Sequence, residues 1–224
     1  ETRRFSFPEP KLWSPERPAM YSLKIAINQK GATDAVDIPF GFRSIRFDDT
    51  GFYLNGERRK FRGACRHQDR EGKGWAVSRE DEAEDVGMMK KMGCDAVRTA
   101  HYPQSRNFLD ACDKAGLMVW IETVLVNEVT FSETFHSNML QQTREMVAQR
   151  RNHPSIVVWG LFNEIYSGSK HKAGTIEKYL EEVRELFRAM DTSRKVVCAS
   201  NQYGRKELSQ VADFCAFNVY PAWY

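Results

Sequence analysis

After residue 51 the chain alternates short apolar runs with stretches of helical periodicity, and no other feature limits its fold as strongly. The runs are "KFRGAC", "DAVRTA", "GLMVWIE", "SIVVWGLFNE", "KVVCAS" and "DFCAFNVY", at intervals of roughly 20 to 40 residues, which suits strands joined by helices. Between them, "SREDEAEDVGMMKKMG" opens on Ser78 as an N-cap, carries acids in its first turn, repeats Val86, Met89 and Met92, and closes on Gly93. "TIEKYLEEVRELFRAM" puts Ile176, Tyr179, Leu180, Val183, Leu186, Phe187 and Met190 at helical spacing, a packing stripe and not a cofactor site. Strands separated by helices form a parallel sheet covered by those helices. A doubly wound sheet calls for GxGxxG after its first strand, and "FRGACRHQDREGKGW" has neither that spacing nor the helix start. The expected fold is therefore α/β, a (β/α)8 barrel represented here by about six strands.

The segment before it reads differently. "MYSLKIAINQ" alternates apolar and polar residues, Gly31 to Thr33 suits a turn, and "AVDIPFGFRSIRF" offers a second extended run. Residues 1–47 are expected to be the last strands of an immunoglobulin-like β-sandwich, and residues 48–224 the barrel portion. Because the chain starts without Met, a longer parent chain is expected.

Composition removes several function classes. The 224 residues are 42% hydrophobic and 28% charged, as in a folded globular protein, and no window has about 18 uninterrupted apolar residues. The 33 basic and 30 acidic residues are interspersed to a net +3, so neither a nucleic-acid nor a membrane partner is expected. Cys65, Cys94, Cys112, Cys198 and Cys215 show no CxxC or Cys/His ligand spacing and read as buried free thiols.

In a (β/α) barrel, chemistry gathers where the strands end. Polar residues recur there: Arg66, His67 and Asp69, then Arg98 and His101, then Glu122, then Asn163 and Glu164, and last Asn218 and Tyr220 with Trp223 and Tyr224. Each alone has a structural explanation. Together they make a cleft of amides, imidazoles, carboxylates and aromatic faces, which suits sugar hydroxyls and sugar C–H faces. Trp120, Trp159 and Trp223 are candidate platforms, and for the first two, inside strand runs, core packing is an equal alternative.

These residues resemble glycoside hydrolase family 2. "LWSPERPAMYSL" and "GFRSIRF" resemble the end of its sandwich domain, and "FYLNGERRKFRGACRHQDREGKGW", "AVRTAHYPQSRNFLDACDKAGLMVWIE" and "NHPSIVVWGLFNE" resemble its barrel. "RHQDREGKGWAVS", "HYPQS" and "ETVLVNE" are most similar to its β-galactosidase branch, with β-glucuronidase and β-mannosidase as alternatives and a non-catalytic sugar-binding domain as the alternative outside enzymes. The resemblance implies a retaining β-glycosidase acting on a β-glycoside or oligosaccharide. It makes Glu164 the general acid/base, puts Asn163 on the sugar, and has His67, Arg98 and His101 shape the glycone pocket. It matches Tyr220 to a tyrosine close to the nucleophile, with Asn218, Trp223 and Tyr224 flanking it.

Retention needs two carboxyl groups about 5 to 5.5 Å apart, and the family's nucleophile ends the seventh strand, beyond Tyr224. Glu122 takes a supporting role in this reading. Relatives that bind a divalent cation use an E-x-H triplet after the third strand; "IETVLVNEVTF" has no such His, so no metal or other cofactor is expected. Homo-oligomerisation and location (periplasmic, secreted or cytoplasmic) are left open. The expected behaviour of residues 1–224 alone is no enzymatic turnover of a nitrophenyl β-galactoside. Turnover abolished by Glu164→Gln would contradict it.

Overall fold

A computed structural model describes residues 4–129, 132–166 and 175–221. Strands β1 (Tyr21–Gln29) and β2 (Ala32–Phe40) form an antiparallel hairpin in which Tyr21 faces Phe40 and Gln29 faces Ala32. Its turn is Lys30–Gly31, slightly ahead of the expected position; both residues have positive φ, 47° and 82°, the twist that suits a two-residue hairpin loop.

A meander follows, of β3 (Ile45–Asp48), β4 (Gly51–Leu54) and β5 (Glu57–Arg59), turned by Asn55–Gly56. Phe52 and Leu54 pack with Trp13 against Ala96, Met118 and Val157, which lie where the barrel strands begin, so this small sheet plugs the N-terminal end of the barrel.

The barrel portion runs β6 (Gly63–Arg66), α1 (Arg79–Lys91), β7 (Ala96–Thr99), α2 (Arg106–Ala115), β8 (Met118–Glu122), α3 (Glu133–Arg150), β9 (Ile156–Asn163), α4 (Thr175–Met190), β10 (Lys195–Ser200), α5 (Lys206–Val211) and β11 (Phe214–Phe217). The six barrel strands lie side by side in chain order, every pair parallel, forming a half-barrel whose edges are β6 and β11. Ser78 caps α1 as expected, and Asp81 completes a reciprocal capping box with it. Ser105 and Ser132 cap α2 and α3 by accepting from the Phe108 and Phe135 amides, without the reciprocal bond.

Strand alternation sorts the side chains. Val97, Val119, Ile121 and Trp159 join Phe108, Leu109, Leu180 and Phe187 in the core between sheet and helices. Trp159 is fully buried, its ring stacked on Phe187 and its Nε1 donating to Asp191 at 2.9 Å; it is a core residue and not a sugar platform. Ala96, Arg98, Met118 and Trp120 face inward, lining a cavity of about 370 Å³ on the concave side of the sheet. All five cysteines are free, but Cys65 is exposed, contrary to expectation, because it lies on edge strand β6 facing that cavity.

The start of β9 is fixed by buried charge. Arg43 donates to the carbonyls of Pro154 and Ile156, while Arg194 donates to those of Arg151, His153 and Ile156 and pairs with Asp191. Burial and the neighbouring Arg194 push the Arg43 guanidinium down to about 9. His153 hydrogen-bonds Asp113 at 2.6 Å, and Asp113 accepts from the Ser155 amide. Asp110 lies within 4.8 Å of this pair, but 2.6 Å is hydrogen-bond spacing.

Burial raises the Asp191 carboxyl, and Arg194 with Ser193 outweigh that, holding it at about 2. A carboxyl depressed by folding adds stability that is present above its unfolded value of about 3.9 and is lost as pH falls through the folded one. The stability difference between the protein and Asp191→Asn, read by denaturant unfolding, should therefore shrink as pH falls from about 4 to about 2. A difference constant across that window would contradict the pairing.

Candidate active site

The C-terminal ends of the barrel strands meet around one guanidinium. Arg98 projects inward from β7, its Nε donating to Glu122 Oε1 at 2.6 Å, Nη1 to Asn218 Oδ1 at 3.0 Å and Nη2 to Asn163 Oδ1 at 2.8 Å. Its carbon lies 4.5 Å from the centre of the Trp120 ring, so the cation is covered by an aromatic face. Glu122, at the end of β8, is 1% exposed, and its second oxygen is 2.9 Å from His101 Nδ1. Both oxygens are thus engaged.

A glycine makes room for this pair. Gly160 on β9 faces Glu122 across the strands, and a Cβ there would sit 2.5 Å from Trp120 Nε1 and 2.6 Å from Glu122 Cγ. Any side chain at this position displaces the carboxylate or the indole.

Asn163 ends β9 and Glu164 follows in the left-handed region, at φ 52°. That conformation costs a non-glycine residue about 1 kcal/mol or more, and such strain gathers where the chain must aim a side chain. The Glu164 amide donates to Ala199 O at 2.9 Å, which ties the turn to β10. Its Oε1 accepts from Asn218 Nδ2 at 2.5 Å and from Tyr220 Oη at 2.8 Å. Oε2 has no partner among the described residues. Asn218 also donates to Asn163 Oδ1 at 3.0 Å, closing a loop of polar contacts through Arg98.

Seven of the residues singled out in the sequence, Arg98, His101, Glu122, Asn163, Glu164, Asn218 and Tyr220, are therefore brought into one network. His67 is exposed beside it, its ring edge-on to His101 with centroids 5.4 Å apart. Trp223 and Tyr224 lie outside the described residues. Arg66, another strand-end residue, is turned the other way: it is 7% exposed, paired with Asp85, bonded to Gln104 and laid over Phe108. It supports the helix layer. The sequence reading did not single out Tyr102, whose ring lies 6.1 Å from that of His67 and stacks on Trp75 at 4.7 Å. The available signal was the aromatic pair in "GKGW" and "AHYP", far apart in sequence and one surface in space.

Chemically, the network offers fixed amide and guanidinium groups beside a carboxylate with one oxygen uncommitted. Such a site can hold a hydroxylated ring and exchange a proton with it. Glu122, the network's other carboxylate, is consumed by Arg98 and His101.

Comparison with known proteins accords with this geometry. The family model described as glycosyl hydrolases family 2, TIM barrel domain, matches residues 45–224, and the one described as glycosyl hydrolases family 2 matches residues 1–43. A β-glucuronidase of Bacteroides fragilis is 37% identical over 96% of this chain and 32% of its own length. A β-galactosidase of Thermoanaerobacterium thermosulfurigenes is 39% identical over 67% of this chain and 21% of its own. The apo structure of Bacteroides uniformis β-glucuronidase 3 superposes with a TM-score of 0.89 at 32% identity, over 96% of this chain and 28% of that one. The chain thus spans about a third or less of the length of these relatives. With both family models matched in order along it, the chain belongs to glycoside hydrolase family 2.

Proposed function

We propose that this chain forms part of a retaining β-glycosidase in which Glu164 is the general acid/base. The observation that carries the reading is the asymmetry of the Glu164 carboxylate. Asn218 and Tyr220 both address Oε1, leaving Oε2 for the glycosidic oxygen. In the first step Glu164 gives its proton to the departing oxygen as a second carboxylate bonds to the sugar carbon; in the second it takes a proton from water.

Glu122 is assigned a positioning role, since both of its oxygens are committed and it is 1% exposed. In this reading Glu122 is not the nucleophile, a role that the family resemblance gives to a carboxylate at the end of a seventh barrel strand. Asn163, Asn218, Arg98 and the two histidines, His67 and His101, line the sugar side, and the family match with residues 1–43 supports treating 1–47 and 48–224 as separate domains.

Two sugars fit this reading. The loop motifs favour a galactoside, while a glucuronide is favoured by the B. fragilis relative, which is similar along 96% of the chain. A panel of nitrophenyl β-galactoside, β-glucuronide and β-mannoside, tested on a protein carrying these residues together with the nucleophile, separates them.

In that protein Glu164→Gln should lower kcat by about 10²- to 10⁴-fold on a methyl glycoside, whose leaving group needs the proton, and by less on a nitrophenyl one. An unchanged rate on both would refute the assignment. Glu122→Ala leaves the Arg98 cation buried without its carboxylate, and should cost about 3–5 kcal/mol of stability by denaturant titration. A loss below about 1 kcal/mol would show that Arg98 finds its compensation elsewhere.

A further inference from the structure

Trp75 is 65% exposed, yet the loop that carries it is firmly fastened. The Arg70 and Gly74 backbones bond each other in both directions, at 3.0 and 2.8 Å. Arg70 pairs with Asp81, Glu84 and Asp85 on α1, and Lys73 pairs with Asp81 at 2.6 Å. The indole stacks on Tyr102, whose hydroxyl accepts from the Gln68 amide at 2.9 Å. A large apolar face held in water by this many contacts is a preformed platform, and preorganisation lowers the cost of binding.

The platform lines a groove of about 470 Å³ together with His101, Glu145, Gln149 and Arg150. This volume lies within the usual range of about 300–1,000 Å³ for small-molecule sites. Arg150 is half-buried, and its Nε is shielded from solvent with no acceptor among the described residues. A buried donor of this kind asks for an oxygen from a ligand or from water. Burial and the nearby Arg106 also lower the Arg150 pKa, outweighing Asp110, which raises it. One acid, Glu145, and one guanidinium, Arg150, line the groove with His101, two amides and two aromatic rings, a balance suited to neutral hydroxyls. His101 belongs both to this groove and to the network around Glu164, so the two spaces are neighbours.

We propose that this groove is a subsite for a further, neutral sugar residue of an oligosaccharide whose terminal residue sits against Glu164. The sugar's C–H face would lie on Trp75 and a hydroxyl would accept from Arg150. The proposal rests on the glycosidase reading for the position of the terminal residue, but the platform and the unsatisfied donor stand independently of it.

The test is Trp75→Ala in the active protein, on a methyl β-glycoside and on a β-linked trisaccharide with the same terminal sugar. The trisaccharide KM should rise about ten-fold, equivalent to one aromatic stacking contact, with kcat unchanged and the methyl glycoside unaffected. Trp75→Phe should retain most of the affinity. Equal losses on both substrates, or none on either, would overturn the subsite. If the unsubstituted protein hydrolyses neither substrate, the glycosidase reading fails and titration of tryptophan fluorescence with the trisaccharide decides. Saturable quenching lost in Trp75→Ala supports the groove, and no quenching overturns it.

Discussion

The Arg98–Glu122 ion pair sits inside the curve of the sheet, where a lone guanidinium or carboxylate would be strongly unfavourable. Each charge compensates the other, and the geometry of everything around them follows. Gly160 leaves the space that Glu122 occupies, Glu122 fixes Arg98, and Arg98 orients the amides of Asn163 and Asn218. Asn218 in turn holds Glu164. The carboxylate assigned to the chemistry is thereby aimed through a series of contacts that starts from a missing side chain on its own strand, four residues earlier. Such a pair is weak evidence of stability by itself, but in a site its value is a fixed set of donors that need no reorganisation when charge develops.

The two ends of the half-barrel divide the work. At the N-terminal end, Trp13, Phe52 and Leu54 close the interior with apolar contacts, and Arg43, Arg194, Asp191, Asp113 and His153 pin the beginning of β9. At the C-terminal end of the same strand, the backbone leaves β-structure at Glu164 through a left-handed residue. Rigidity below makes that local strain tolerable above, because β9 is completely buried along its length and cannot shift to relieve it.

Much of this was legible in the sequence. The six barrel strands, the capped helix after Ser78 and the cluster of polar strand ends follow from periodicity and capping, which are local. What was not legible depends on partners distant in the chain. The inward or outward aim of a strand-end residue is set by pleat and register: Arg98 turns into the site while Arg66, equally placed at a strand end, turns to Asp85 and the helix layer. Trp120 and Trp159 were equivalent by pattern, and a difference in strand face made one the lid on Arg98 and the other a core residue. The meander of β3 to β5 was not foreseen, although Asn55–Gly56 is a turn signal, and its role as a plug depends on residues such as Met118 and Val157, some 60 and 100 positions further on.

The central claim is that Glu164 acts as the proton donor and not as the nucleophile. In Glu164→Ala of a protein carrying these residues together with the nucleophile, azide should restore turnover of an activated nitrophenyl glycoside by taking the place vacated by the carboxylate, and the product should be the β-configured glycosyl azide. An α-configured azide, formed by attack from the opposite face, would make Glu164 the nucleophile and contradict the account.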